Sequence, residues 1–181
     1  MKLIQTDLEG VFIIENFHAA DHRGSFTKTF HQDTFETFGL RTDFRESYYS
    51  VSQKNVIRGM HFQLPPHDHE KLVYVAKGEV LDVIFDMSKD SATFGQSISV
   101  VLSEGNSRSV YMPKGMAHGF KSMEDNTIMV YNVTSVYNGD ADYGIRYDSI
   151  GFDWEASEPV VSDRDRLLST FDEFRKDNPF K

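Results

Sequence analysis

The chain has no cysteine among its 181 residues, one tryptophan and five prolines. Without cysteine there is no disulfide framework, no thiolate nucleophile and no cysteine-held metal. Long apolar runs are also missing. The opening MKLIQTDLEGVFII is broken by acidic residues, so it reads as neither a signal peptide nor a membrane span, and a cytoplasmic location is expected. Positive charge is short as well, with 19 Lys and Arg against 28 Asp and Glu, a net −9. Such a chain has no global field for nucleic acid or an anionic membrane, and any phosphate must be held by a few well-placed cations.

Helical pattern is scarce. DTFETFG at 33–39 suits one short helix capped by Asp33 and ended by Gly39. In the tail, Ser162 is a candidate cap, and Leu167, Leu168, Phe171 and Phe174 fall at helical intervals. No linker, repeat or low-complexity run divides the chain, so residues 1–181 are expected to form a single domain.

Aromatic residues are plentiful, with 15 Phe and 8 Tyr, which favours pleated, half-buried surfaces. Short apolar segments separated by turn residues recur: VFIIE, SFTKTF, SYYSVS, VIRGMHFQ, KLVYVAK, EVLDVIFD, QSISVVLS, SRSVYMP, AHGFKSM and TIMVYNVTSVY. Their spacing predicts an all-β antiparallel sandwich or barrel. Strand periodicity puts Met129, Tyr131, Val133 and Tyr137 on one face, and His61 with Gln63 on one face opposite Phe62.

Seven histidines are present, three of them in RGMHFQLPPHDHEKL at 58–72. PKGMAH at 113–118 resembles the second metal-ligand element of metal-binding cupins, and His67-Asp68-His69 resembles the H-x-H of the first. The carboxylate ligand of that first element should fall at 73 or 74, where the chain has Val73 and Tyr74. A metal site usually draws three or more ligands from different elements, so no metal is expected, and His67 and His69 read as polar loop residues.

Six stretches, DHRGSF, VIRGMHFQLPP, EKLVYVAKGEVLDVIFDMSKDSATFG, LSEGNSRSVYMPKGMAHGF, VYNVTSVY and VVSDRDR, resemble the dTDP-4-dehydrorhamnose 3,5-epimerases in the family's own order. The resemblance implies a cupin-type jelly roll, a homodimer whose partner covers strand edges, and a cofactor-independent epimerase. Its substrate would be a nucleotide-linked 4-keto-6-deoxy sugar bound for a surface polysaccharide. It places the catalytic base at His61, its orienting carboxylate at Asp165, the enolate-stabilising ammonium at Lys71 and the proton donor at Tyr131. It places substrate contacts at Arg23, Phe26, Arg58, Gln63, His118 and Tyr137, with Asp142 in place of a family Glu and Arg164 in place of a Lys; His118 reads equally as a packed core histidine. The chemistry needs this set: deprotonation beside a carbonyl requires a base, an acid on the opposite face and a cation at the enolate oxygen.

Two departures touch recognition. Lys28 stands where the family has Glu, and Glu46, Ser47 and Tyr48 replace its Q-D/E-N. Lys is a donor only and suits the N3 acceptor of cytosine better than the N3–H of thymine, so a CDP or other carrier is an alternative expectation to dTDP. Glu46 and Tyr48 suggest a different hydroxyl pattern and inversion at one centre only. Readings of another class are a ketoisomerase, a metal-dependent cupin oxygenase and a non-catalytic sugar-nucleotide binder.

Overall fold

A computed structural model covers residues 1–181. Its strands are β1 (Lys2–Gln5), β2 (Phe12–Glu15), β3 (Phe17–Asp21), β4 (Gly24–Lys28), β5 (Glu46–Ser52), β6 (Ile57–Gln63), β7 (Lys71–Lys77), β8 (Glu79–Asp86), β9 (Ser97–Ser103), β10 (Arg108–Met112), β11 (Met116–Ser122), β12 (Thr127–Val133) and β13 (Asp142–Gly144). A six-stranded sheet in the order β1-β2-β10-β7-β12-β5 faces a five-stranded sheet in the order β13-β6-β11-β8-β9. Every ladder is antiparallel. This is the expected all-β jelly roll.

Strand periodicity sorts the side chains into layers. On β7, Val73 and Val75 turn into the space between the sheets, while Leu72 turns outward. Met129 and Tyr131 of β12, Val80 and Ile84 of β8, and Met116 and Phe120 of β11 complete that central core. The outer face of the five-stranded sheet carries Met60, Phe62, Val83 and Phe85, covered by Trp154, Val161 and Phe180 from the C-terminal third. A third cluster joins Ile14, Leu72 and Tyr111 to Phe35 and Leu40.

The same alternation positions the polar residues. Lys71 shares parity with Val73, Asp82 with Val80 and Ile84, His118 with Met116 and Phe120, and Tyr131 with Met129. On β6, Met60 and Phe62 face outward, so His61 and Gln63 face between the sheets. Six polar side chains therefore belong to the interior layer by register.

Helix α1 (Gln32–Thr37) begins one residue before the predicted span. Its N-cap is His31, and Asp33 lies in the first turn without capping it, where a carboxylate favours the exposed N–H groups electrostatically. Gly39 follows the C-cap with φ +73°, the left-handed turn that ends the helix. The tail forms two helices separated by a break. Helix α2 (Asp163–Arg166) is capped by Ser162, which accepts from the Asp165 N–H. Helix α3 (Phe171–Phe174) has its own capping box from Thr170 and Glu173. Leu167 projects into solvent at the break, 84% exposed, while Phe171 and Phe174 pack on the second core.

Strand β12 ends at Val133, so Tyr137 does not share its face but lies in the following loop. Three short strands, β1, β3 and β13, lay outside the predicted set. The β3–β4 hairpin forms a two-stranded sheet that pairs with no other strand. No helix is long and apolar enough to cross a membrane.

Candidate active site

Gly59 opens the site. Its φ of +146° is a conformation that side chains rarely adopt, and a Cβ there would fall 2.6 Å from the Gly119 Cα of the neighbouring strand. This close approach sets β6 against β11, and the Gly59 N–H directed at Asp165 Oδ2 at 3.4 Å ties α2 to β6. Asp165 Oδ1 accepts from His61 Nε2 at 2.8 Å. A carboxylate can only accept, so the Nε2 proton faces Asp165 and Nδ1 is the free nitrogen. Burial pushes the Asp165 carboxyl up, but the His61 hydrogen bond and charge, the Gly59 N–H and Arg164 outweigh it and hold it below the ordinary range. The His61 ring keeps 31% of its side chain exposed, against 5% for Asp165.

Lys71 is buried, and its Nζ donates to the main-chain oxygen of His61 at 3.0 Å. Desolvation pushes its ammonium down to about 8, partly offset by the negative charges of Asp82 and Asp142. Tyr131 is buried, and burial drives its phenol well above the ordinary value despite the Ser50 hydroxyl 3.4 Å away. The Tyr48 ring stacks on it, centroids 4.9 Å apart and planes at 17°. Burial, Glu46 and Asp142 push the Tyr48 phenol up to about 12.

His61, Lys71 and Tyr48 meet at a cavity of about 300 Å³, whose wall also includes Gln63, His69 and Glu46. Tyr131 is not on that wall and adjoins it through the Tyr48 ring stacked on it. Tyr137, Asp142 and Arg164 stand at the same cavity. A chain of polar contacts joins them: the Tyr137 N–H donates to Glu46 Oε2 at 2.7 Å, its hydroxyl to Asp142 Oδ2 at 3.4 Å, and Arg164 Nη2 pairs with Asp142 Oδ2 at 2.9 Å. An adjoining cavity on the far side of His61 is lined by Arg58, Arg164 and Asp165. There the Arg58 guanidinium is held by Ser52 Oγ at 3.0 Å and the Val51 carbonyl at 3.2 Å.

His118 is buried beneath this set rather than on its wall, opposite His61 in the β11–β6 register. Its Nε2 donates to Asp82 Oδ1 at 2.6 Å, and its ring meets Tyr131 edge-on at 6.0 Å. Asp82 was absent from the sequence-predicted set, although an Asp set within the apolar run VLDVIF is itself a signal. His69 corrects the expectation of a solvated loop: it stays outside the strands but lines the cavity, its ring held against Ser135 and Gln63. His67 does remain in the loop, its Nε2 3.3 Å from Asn138 Nδ2.

Arg23, Phe26 and Lys28 are not brought to the cavity. They ride on the exposed β3–β4 hairpin, where Arg23 pairs with Asp21 at 2.6 Å and Phe26 meets Phe17 edge-on.

A family model described as dTDP-4-dehydrorhamnose 3,5-epimerase matches residues 5–173. The enzyme of that name from Shigella flexneri is 38% identical over 168 residues, covering 91% of this chain and 93% of the relative. A crystal structure of the Bacillus anthracis enzyme with TDP and PPi bound superposes with a TM-score of 0.91 at 36% identity, over 94% of this chain and 99% of that one. The Legionella pneumophila dTDP-6-deoxy-D-glucose-3,5-epimerase, in complex with dTDP-4-keto-L-rhamnose, gives a TM-score of 0.94 at 33% identity over 99% and 97% of the two chains. The match runs along nearly the whole sequence and the jelly roll is shared, and the chain belongs to the dTDP-4-dehydrorhamnose 3,5-epimerase family.

Proposed function

We propose that this protein inverts C3 and C5 of a dTDP-linked 4-keto-6-deoxy sugar through an enolate. The observation that carries the reading is the meeting of His61 and the buried Lys71 on one cavity, with Asp165 behind the histidine and Tyr131 stacked against Tyr48 of the cavity wall. Nδ1 of His61 removes the proton on the carbon next to the carbonyl. The electron pair of that C–H bond moves into the ring, and the carbonyl oxygen gains the negative charge. The Lys71 ammonium stabilises it there.

Tyr131 returns a proton from the opposite face. Its raised pKa keeps the phenol protonated until a carbanion-like carbon draws the proton away. C3 and C5 both flank the C4 carbonyl, so one cation at the enolate oxygen serves both inversions. Only protons move, so the balance needs no electron acceptor. Arg58 and Arg164 are assigned to the diphosphate, which forked guanidinium groups suit. Glu46, Tyr48, Gln63, Tyr137 and Asp142 are assigned to the sugar, and His118 to holding the floor beneath them.

Arg23, Phe26 and Lys28 need a second copy of the chain. Their hairpin pairs with no strand and exposes Phe17 and Phe26, an apolar surface that favours association. We assign the protein as a homodimer in which each hairpin completes the other's nucleotide site.

The test is to incubate the protein with dTDP-4-keto-6-deoxyglucose in heavy water and locate deuterium by NMR. Label at C3 and C5 is expected, label at one centre restricts the reaction to that centre, and label at neither refutes the reading.

A further inference from the structure

His69 lines the cavity, yet the epimerase reading gives it no task. Its ring is anchored on one side. Nδ1 lies 2.9 Å from Ser135 Oγ and 3.2 Å from Gln63 Nε2. The Gln63 amide is itself oriented: the Asn138 N–H donates to Oε1 at 2.7 Å, which leaves Nε2 to donate to the His67 carbonyl at 2.9 Å and Ser135 Oγ at 3.0 Å. The imidazole is therefore held by a bonded frame.

The other ring nitrogen, Nε2, is buried and has no hydrogen-bond partner in the protein. A buried polar atom left unpaired costs on the order of 1–3 kcal/mol, which a ligand that pairs with it recovers. Burial, with the positive charges of Lys71 and Lys114, pushes the His69 ring down to about 3, so it is neutral across the working range. A neutral imidazole carries one N–H and one lone pair, and a hydroxyl, which both donates and accepts, can satisfy either tautomer. A phosphate or a carboxylate, each acceptor only at neutral pH, can satisfy just one.

We propose that Nε2 of His69 hydrogen-bonds a ring hydroxyl of the sugar and is a specificity-determining residue of the site. The inference rests on the nucleotide-sugar reading above and adds to it a contact that the nucleotide alone cannot make. The sugar carbonyl at Lys71 brings its neighbouring hydroxyls to the stretch of wall two residues away.

Two variants separate the nitrogens. In His69→Asn the amide reaches only the Nδ1 position and its Ser135 partner; in His69→Gln it reaches the Nε2 position. His69→Asn should raise the KM for dTDP-4-keto-6-deoxyglucose ~3- to 10-fold, the value of one neutral hydrogen bond. It should leave the Kd for TDP and the pH profile unchanged, and His69→Gln should restore KM to within about threefold. In the unmutated protein, the ¹⁵N resonance of His69 Nε2 should shift with a non-reacting dTDP-hexose and not with TDP, a readout independent of how the variants fold. An unchanged KM in folded His69→Asn, an equal loss of TDP affinity, or a silent Nε2 resonance overturns the proposal. If the unmutated protein exchanges no proton of the keto sugar, the epimerase reading falls and takes this inference with it. If it exchanges normally and the His69 readouts fail, only this inference falls.

Discussion

Lys71 Nζ donates to the main-chain oxygen of His61 at 3.0 Å, so the buried ammonium is tethered to the residue whose ring pairs with Asp165. The tether uses one of three N–H groups and leaves two for a ligand oxygen. The proposed base and the proposed cation therefore hold a fixed spacing set by the β6 backbone.

Lys71→Met should lower kcat ~10²- to 10³-fold, the usual effect of removing one group that stabilises a developing oxyanion. It should also raise the thermal midpoint below pH 8. The folded pKa of about 8 lies below the ordinary 10.5, so between these values the unfolded chain binds more protons and stability rises with pH. Below that window the buried charge is a standing cost, which methionine removes. Activity of the unmutated enzyme should fall above about pH 8 as the ammonium is lost. A midpoint lowered by the substitution would show that the ammonium contributes net stability.

His61→Asn should abolish deuterium incorporation at both carbons while the calorimetric Kd for TDP stays within about threefold. A positioned general base contributes ~10²- to 10⁴-fold. Turnover within tenfold of the unmutated rate would remove His61 from the base position.

Tyr131→Phe should separate the two half-reactions. Proton removal by His61 persists, so substrate label still washes out, but the inverted sugar should form at least ~10²-fold more slowly. Loss of washout and inversion together would mean that the phenol acts before the enolate forms.

Asp165→Asn should lower kcat by on the order of 10³-fold, because an amide can donate where the carboxylate only accepts and so favours the wrong tautomer of His61. Asp165 also makes a pH statement. Its folded pKa is depressed, so its contribution to stability is present above the ordinary carboxylate pKa and is lost as pH falls through the folded value. Acid titration of the Asn variant, followed by circular dichroism, should lack that part of the loss.

The carrier nucleotide is tested by calorimetry with TDP and CDP. TDP is expected to bind more tightly, and Lys28→Glu should widen the gap by supplying an acceptor for the thymine N3–H. Tighter CDP binding would move the assignment to a cytidine carrier.

Most of the barrel was legible from strand periodicity: Val73 and Val75 against Leu72, or Met129 and Tyr131 against Val130, alternate as a two-sided sheet requires. Strands β1, β3 and β13 were not, since KLIQ, FHAAD and DYG are short or lack the β-branched run that marks a strand. The tail periodicity joined Leu167 to Phe171 across a break: Leu167 has nothing to pack on, and the Thr170 capping box starts a new helix that carries Phe171 and Phe174 onto the second core. The residues proposed as reactive were singled out by the resemblance, and parity turned His61 and Tyr131 inward as the strands do. His69 was hidden by its Pro-Pro loop, and the separation of Arg23 and Lys28 from the cavity was invisible because it depends on where a hairpin comes to rest in three dimensions.

Arg164 already holds a carboxylate, that of Asp142. An incoming diphosphate would thus meet a guanidinium that has to change partners, and part of the Coulomb attraction gained would be repaid in separating the ion pair. The same arrangement works in reverse at the end of turnover. If Arg164 takes the diphosphate as proposed, Asp142 would take it back as product leaves, and the site would trade some grip for faster release.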